Sequence, residues 1–207
     1  IMVAILIAST FLCSLCTFVQ SYWNQSVQQE IAAYGDWDAQ LLEIHAGQLD
    51  LIRNNENIQS IMVKGDNQTA LLPTASGLPY LLIQNCDGAY WGGMREKNLI
   101  LRGRVPQALG EIVVGKSFFE QNPSVEIGDR LNLDLGERRI GTTTVDFLSP
   151  IQSGEEFVKT EKMQYTIVGE IDMTVSSAYN GYPAYGWLDT ATLSEDTGIV
   201  AYLQVTQ

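Results

Sequence analysis

The hydrophobic pattern divides the chain at Gly35. Ile1 to Val19 reads IMVAILIASTFLCSLCTFV, diluted only by Ser, Thr and Cys, and the first charged residue of the whole chain is Glu30. At 1.5 Å rise per residue, about 20 such residues cross a hydrocarbon layer of about 30 Å. The run is therefore expected to be a membrane span, with Tyr22 and Trp23 at the depth where amphipathic rings favour the interface. Beyond it Trp23, Val27, Ile31 and Tyr34 fall on one helical face, while Gln25, Gln28, Gln29 and Glu30 occupy the rest. No Pro or Gly interrupts the chain before Gly35, which is placed to take the left-handed conformation that ends a helix. The expectation is one rod over residues 1–34, a membrane helix continuing as a stalk. A secretory signal peptide is the competing reading. Its apolar region is shorter, about 7–15 residues, and is followed by a small-residue cleavage site. No such site follows here, and the residues before Cys13 and Cys16 fit a lipoprotein cleavage box poorly. Because the chain begins with Ile, a cytoplasmic flank is expected ahead of it.

After Gly35 strand and turn signals take over. Strands are predicted at 37–44, 58–63, 80–83, 99–102, 111–114, 130–135, 142–148, 164–172 and 199–205. Short helices are predicted at 47–54, 116–121 and 190–195, and 89–97 is ambiguous. Leu131, Leu133 and Leu135 alternate with Arg130, Asn132 and Asp134, so one face of that strand is apolar. Lys64-Gly65-Asp66-Asn67 reads as the turn that ends a strand. Gln68 to Pro79 and the Gly/Pro/aromatic stretch Tyr179 to Tyr185 read as loops. Mixed strand and helix of this kind is an α+β pattern. It is divided into an α+β subdomain at 35–97 and a strand-rich subdomain at 98–207, the latter expected to be incomplete at its C-terminal end.

Charge narrows the partners. The net charge is −12, and every acid and base lies at or beyond Glu30. So acidic a surface repels phosphate backbones, which argues against nucleic acid. The three cysteines exclude a disulfide scaffold, and Cys13-x-x-Cys16 reads as small polarizable residues in an apolar helix.

Chemistry is thin. His45 is the only histidine, so no His-based metal cluster can form, and a capping or surface role is expected for it. Asp36, Asp38 and Glu43 could be drawn as a cation site, but no EF-hand-like loop supports them. No phosphate-binding loop motif occurs. The two Asn-x-Ser/Thr matches, at Asn24 and Asn67, are expected to carry nothing in a bacterial protein. Glu111 has no acid/base partner in the sequence and is expected to bond to backbone or to an Arg at a turn.

Three blocks carry a resemblance. They are Gly103-Arg104-Val105-Pro106 followed by Gly110-Glu111-Ile112-Val113-Val114, then Ile127-Gly128-Asp129-Arg130-Leu131, then Tyr165-Thr166-Ile167-Val168-Gly169-Glu170-Ile171. In this order behind an N-terminal apolar helix, they resemble the extracytoplasmic domain of FtsX-like/MacB-like ABC-transporter permeases. Each block is also turn chemistry beside an apolar strand, with Gly103, Pro106, Gly110, Glu111, Gly128, Asp129 and Gly169 as scaffold residues. Gly169 inside a strand predicts a bulge or a close backbone approach.

The resemblance implies a bacterial cell-membrane protein whose MacB-type periplasmic-core domain lies on the extracytoplasmic side. It implies no catalysis and no cofactor in this chain, ATP being handled by a separate cytoplasmic ABC ATPase subunit. It further implies a second permease copy, an extracytoplasmic partner or a peptide or lipid cargo, and further membrane spans after the domain. A single-pass sensor with a ligand-binding outer domain and a membrane-tethered hydrolase are the alternatives. The candidate contact residues are Tyr179, Tyr182, Tyr185 and Trp187, a semi-rigid aromatic cluster of the kind found at recognition sites. In the competing reading Tyr185 and Trp187 plug the core and Tyr179 and Tyr182 cover it. Ala89-Tyr90-Trp91-Gly92-Gly93-Met94 is a weaker candidate of the same type.

Overall fold

A computed structural model describes residues 2–72, 78–173 and 181–206, with side chains described from Thr10 onward. The chain forms two compact units, Ile1–Asp36 and Trp37–Gln207.

The first unit is a single helix, α1 (Met2–Tyr34), 33 residues long. Gly35 ends it with φ +101°, its N–H bonding to the Ile31 carbonyl at 2.8 Å. Among the described residues no helix is long and apolar enough to cross a membrane. Met2–Tyr34 is one continuous helix.

The second unit is α+β and strand-rich, as expected. Its strands are β1 (Ala39–His45), β2 (Ile58–Leu71), β3 (Tyr80–Cys86), β4 (Ile100–Gly103), β5 (Glu111–Gly115), β6 (Arg130–Ile140), β7 (Thr143–Thr144), β8 (Glu156–Ile171), β9 (Gly181–Trp187) and β10 (Gly198–Val205). Three short helices accompany them: α2 (Leu49–Arg53), α3 (Gly88–Gly93) and α4 (Lys116–Gln121). The strand order is β1-β10-β2-β3-β9-β5-β8-β6-β7, with β4 on β8 and an additional pairing of β2 with β6. That last pairing, Thr69–Leu71 against Asp134–Gly136, closes β2, β3, β9, β5, β8 and β6 into a barrel. Its interior is filled by Leu81, Ile83, Ile112, Val114, Leu133, Leu135, Tyr165 and Ile167, with Phe118 and Phe119 of α4 packed against them. The alternation read for Leu131, Leu133 and Leu135 is thus the inward face of a barrel strand. A second cluster, including Met62, Cys86, Tyr90, Trp91, Val113, Tyr185 and Tyr202, covers part of the outward face.

Several expectations are corrected. Lys64 to Asn67 does not end a strand. Asp66 takes the left-handed conformation (φ +46°) within a bulge, and β2 runs on to Leu71. The turn-forming residues supply a bend rather than a reversal, so the first half of β2 pairs with β10 and the second enters the barrel. Gln68–Leu71, the start of the loop expected at 68–79, is therefore strand, and 73–77 lie outside the described residues. Tyr179 to Tyr185 was expected to loop, but Gly181–Trp187 is strand β9, parallel to β3 and antiparallel to β5. Two Gly and a Pro read locally as a breaker. Burial on both faces overrides that signal, with Tyr182 and Ala184 turned inward and Tyr185 outward. The strand expected over 142–148 shrinks to Thr143–Thr144, and the helix expected over 190–195 to a 3-10 turn at Thr190–Thr192. In the opposite direction, β8 begins at Glu156, eight residues earlier than its apolar alternation announces.

The residues after Thr144 are captured by a buried guanidinium. Arg138 and Glu155, with side chains 1% and 2% exposed, form a two-pronged ion pair at 2.7 and 2.9 Å. The remaining guanidinium donors reach the carbonyls of Asp146, Phe147 and Pro150 at 3.2–3.4 Å. The Tyr80 hydroxyl and the Gln152 N–H donate to the Glu155 carboxylate, and the guanidinium lies 5.4 Å from the Tyr80 ring centre. Every polar group of the pair is thereby used, which is what makes a buried charge pair tolerable. Arg138's hydrogen bonds hold the Glu155 carboxyl below its ordinary range. The pair's stabilisation is therefore present above the ordinary glutamate pKa and is lost as pH falls below it. Arg138→Leu strands an unpaired buried carboxylate and is expected to cost about 3–5 kcal/mol in urea unfolding. That cost should shrink in acid, where the carboxylate is protonated.

Candidate functional site

The three sequence blocks, well separated in the chain, meet on four residues of β8. On one edge, β5 lies parallel, with Glu111 opposite Thr166 and Ile112 opposite Ile167. On the other edge three segments follow one another. Arg130 of β6 pairs with Thr166, and the 126–129 turn takes over at Ile167. There the Gly128 N–H bonds to the Ile167 carbonyl at 2.8 Å, and the Ile167 N–H bonds to the Asp129 carbonyl at 3.0 Å. The Arg104 N–H then bonds to the Val168 carbonyl at 3.0 Å, and Gly103 pairs with Gly169. The Thr166 N–H is claimed by the Gly110 carbonyl at 2.7 Å. Backbone groups of all three blocks thus satisfy one another, which explains why these residue types occur together.

Close approach is the steric reason for the two glycines. A side chain on Gly103 (φ +79°) would collide with the Val168 carbonyl. One on Gly169 would lie 2.6 Å from the Arg104 carbonyl oxygen and 3.0 Å from that of Arg102. The β5–β8 register slips between Ile112 and Val113, so the bulge predicted at Gly169 is present.

Glu111 is clamped. Its carboxylate accepts from both terminal nitrogens of Arg104, one bond at 2.7 Å, and from the Gln107 N–H at 2.8 Å. Arg104, with the Gln107 N–H, holds the carboxyl down to about 2 despite some desolvation. Pro106 and Gly110 sit within this clamped turn, and Gly110 takes a left-handed φ of +79°. The expected partnership of Glu111 with Arg and backbone is therefore what the geometry contains. Asp129 closes the second turn by accepting from the Glu126 N–H at 2.9 Å, beside Gly128 with φ +104°.

The aromatic candidates lie elsewhere. Tyr182 is buried in the barrel beside Phe118, and Tyr185 packs edge-on to Trp91 at 6.0 Å. Trp187 is half-buried against the same outward cluster, and Tyr179 lies outside the described residues. Tyr90 and Trp91, the weaker pair, are buried under 6% exposure as well. Tyr182, Tyr90 and Trp91 pack in the interior, and Tyr185 is buried at 5% exposure.

His45 is exposed, with Nδ1 3.1 Å from the Asp196 carbonyl oxygen. Asp38 accepts from the Val205 N–H at 2.8 Å, and Glu43 occupies a β1 bulge with φ +53°. Among the described residues no three metal-ligating side chains come together. Sequence reading missed the Arg138–Glu155–Tyr80 network. Its members are far apart in the chain, and Arg138 shares its strand face with the outward-pointing Arg130, Asn132 and Asp134, so it reads as an ordinary surface charge.

No protein-family model matches the chain, and no curated protein matches it. Among solved structures it is similar to the extracellular domain of the noncanonic ABC-type transporter YknZ from Gram-positive bacteria. That likeness has 10% identity over 80% of this chain and 74% of the other, with a TM-score of 0.47. It is also similar to the periplasmic region of MacB from Actinobacillus actinomycetemcomitans, at 11% identity over 79% of this chain and 65% of that one, TM-score 0.44. A permease-protein domain from Porphyromonas gingivalis matches at 9% identity over 80% and 70%, TM-score 0.41. The likeness is one of architecture.

Two outcomes follow from the β8 junction. Gly169→Ala is expected to cost about 1–3 kcal/mol through overpacking. Gly92→Ala, at a helical position with nothing within 4 Å of the added carbon, should be neutral or slightly stabilising in the same urea titration. Because the Glu111 carboxyl is depressed, the clamp contributes fully above the ordinary glutamate range and is lost as pH falls toward 2. In Glu111→Gln that part of the acid-unfolding profile should flatten.

Proposed function

We propose that this chain is the first membrane span and extracytoplasmic domain of a permease subunit of a bacterial ABC transporter. In this reading the first half of α1 crosses the membrane. A separate cytoplasmic subunit hydrolyses ATP, and the chain works beside a second permease copy. The outer domain passes ATP-driven motion to a cargo or an extracytoplasmic partner and performs no catalysis of its own.

The observation that carries the reading is the meeting of the three permease-like blocks at Thr166–Gly169 of β8. The residues that carry the family resemblance are the ones whose backbones bond to one another. A second support is the surface of α1. Phe11, Leu12, Leu15, Phe18 and Val19 are each 49–71% exposed and share one side of the helix, within an arc of about 120°. An exposed apolar stripe of this width is covered by lipid or by other protein in its working state. The charge-free run from Ile1 extends the same character.

The test uses the whole protein expressed in its own host and purified from membranes in detergent. A nucleotide-hydrolysing subunit is expected to co-purify. Inserting Gly-Gly between Gln25 and Gln29 should leave ATP turnover and domain unfolding unchanged while abolishing transport. A protein that purifies without any ATPase and carries a signalling module would favour the single-pass sensor and overturn the permease reading.

A further inference from the structure

Among the described residues, the outward face of β3 is covered at both ends, with a cleft between them. Tyr80, Leu82, Gln84 and Cys86 share that face, since side chains alternate along a strand. Tyr80 lies under the Arg138 guanidinium and the Phe157 ring. Cys86, wholly buried, packs in the cluster that holds Tyr90 and Trp91 of α3. In the gap, Leu82 and Gln84 stand beside Pro183 and Tyr185, their parallel neighbours on β9. These four floor a cleft of about 250 Å³, with Leu148 of the Arg138-pinned loop as one wall and Lys64 at the rim.

Two polar groups of this cleft have no partner among the described residues. The Gln84 Oε1 atom is buried and accepts no hydrogen bond from any of them. Lys64 takes part in none of the ion pairs among the described residues. Lys64 stands opposite Cys86 in the β2–β3 register, one diagonal step from Gln84 on the same face. A fitting ligand therefore carries an anionic group for Lys64, an N–H donor for Gln84 close to it, and an aliphatic group for Leu82, Pro183 and Leu148. The cleft is smaller than the roughly 300–1,000 Å³ of sites that enclose whole drug-sized molecules. It suits the end of a chain. A peptide C-terminus has this set of groups in this order: a carboxylate, the last amide N–H, and the last side chain. The net charge of −12 repels a bare anion at long range, so basic residues ahead of the terminus favour approach.

We infer that the β3–β9 cleft binds the C-terminus of a short basic peptide ending in an aliphatic residue. The carboxylate meets Lys64, and the terminal amide N–H meets Gln84. This inference stands apart from the transporter reading, because a sensor domain would use the same cleft. The test is calorimetric titration of the full chain in detergent micelles with acetyl-Lys-Ala-Leu, with its C-terminal amide, and with octanoate. The free acid is expected to bind at least about tenfold tighter than the amide, the size of one charge-assisted hydrogen bond. Lys64→Gln should erase that difference, and Gln84→Leu should weaken both peptides. Absence of binding at millimolar peptide, equal binding of acid and amide by the unmodified chain, or octanoate matching the peptide would each overturn the inference. The comparison on the unmodified chain decides the question even where a substitution impairs folding.

Discussion

The barrel depends on how closely backbones can approach β8 between Thr166 and Gly169. One strand there serves β5 along one edge and β6, a turn and β4 in succession along the other. With side chains at Gly103 and Gly169, β4 could not reach the edge that β6 has just left. The clamp of Arg104 on Glu111 fixes the turn that carries the chain from β4 on one edge to β5 on the other. Short sequence blocks that look like weak turn signatures are thus the points where one strand is shared among four neighbours.

The pinned loop is a second constraint, independent of the first. Arg138 uses all of its donors on groups between Asp146 and Glu155, and this buried pair holds a loop over the outward face of β3. A surface ion pair would contribute little. A buried one, with every lone pair and proton occupied, specifies a single loop conformation and removes alternatives.

Much of this was legible in the chain. The uninterrupted helix and its Gly35 stop, the inward Leu131, Leu133 and Leu135, the bulge at Gly169 and the partners of Glu111 all follow from local chemistry, and local chemistry decided them. The failures share a cause. Gly181-Tyr182-Pro183-Ala184-Tyr185 has the composition of a loop, yet it is a barrel strand because neighbours on both faces bury it. Asp66 and its flanking residues have the composition of a reversal, yet they bend a strand that continues. Arg138 and Glu155 carry no local mark of pairing. In each case long-range burial outweighed a short-range signal, and a sequence window contains only the latter.

The functional account stands on α1 holding a folded barrel at the outer surface of a membrane. Alkaline carbonate washing of membranes from cells making the full chain, followed by protease treatment of intact spheroplasts, measures this directly. The account predicts that the chain stays in the washed membrane and that residues 37–207 are cut by protease added from outside. Release into the carbonate supernatant, or complete protection of the barrel until the cells are lysed, would contradict it.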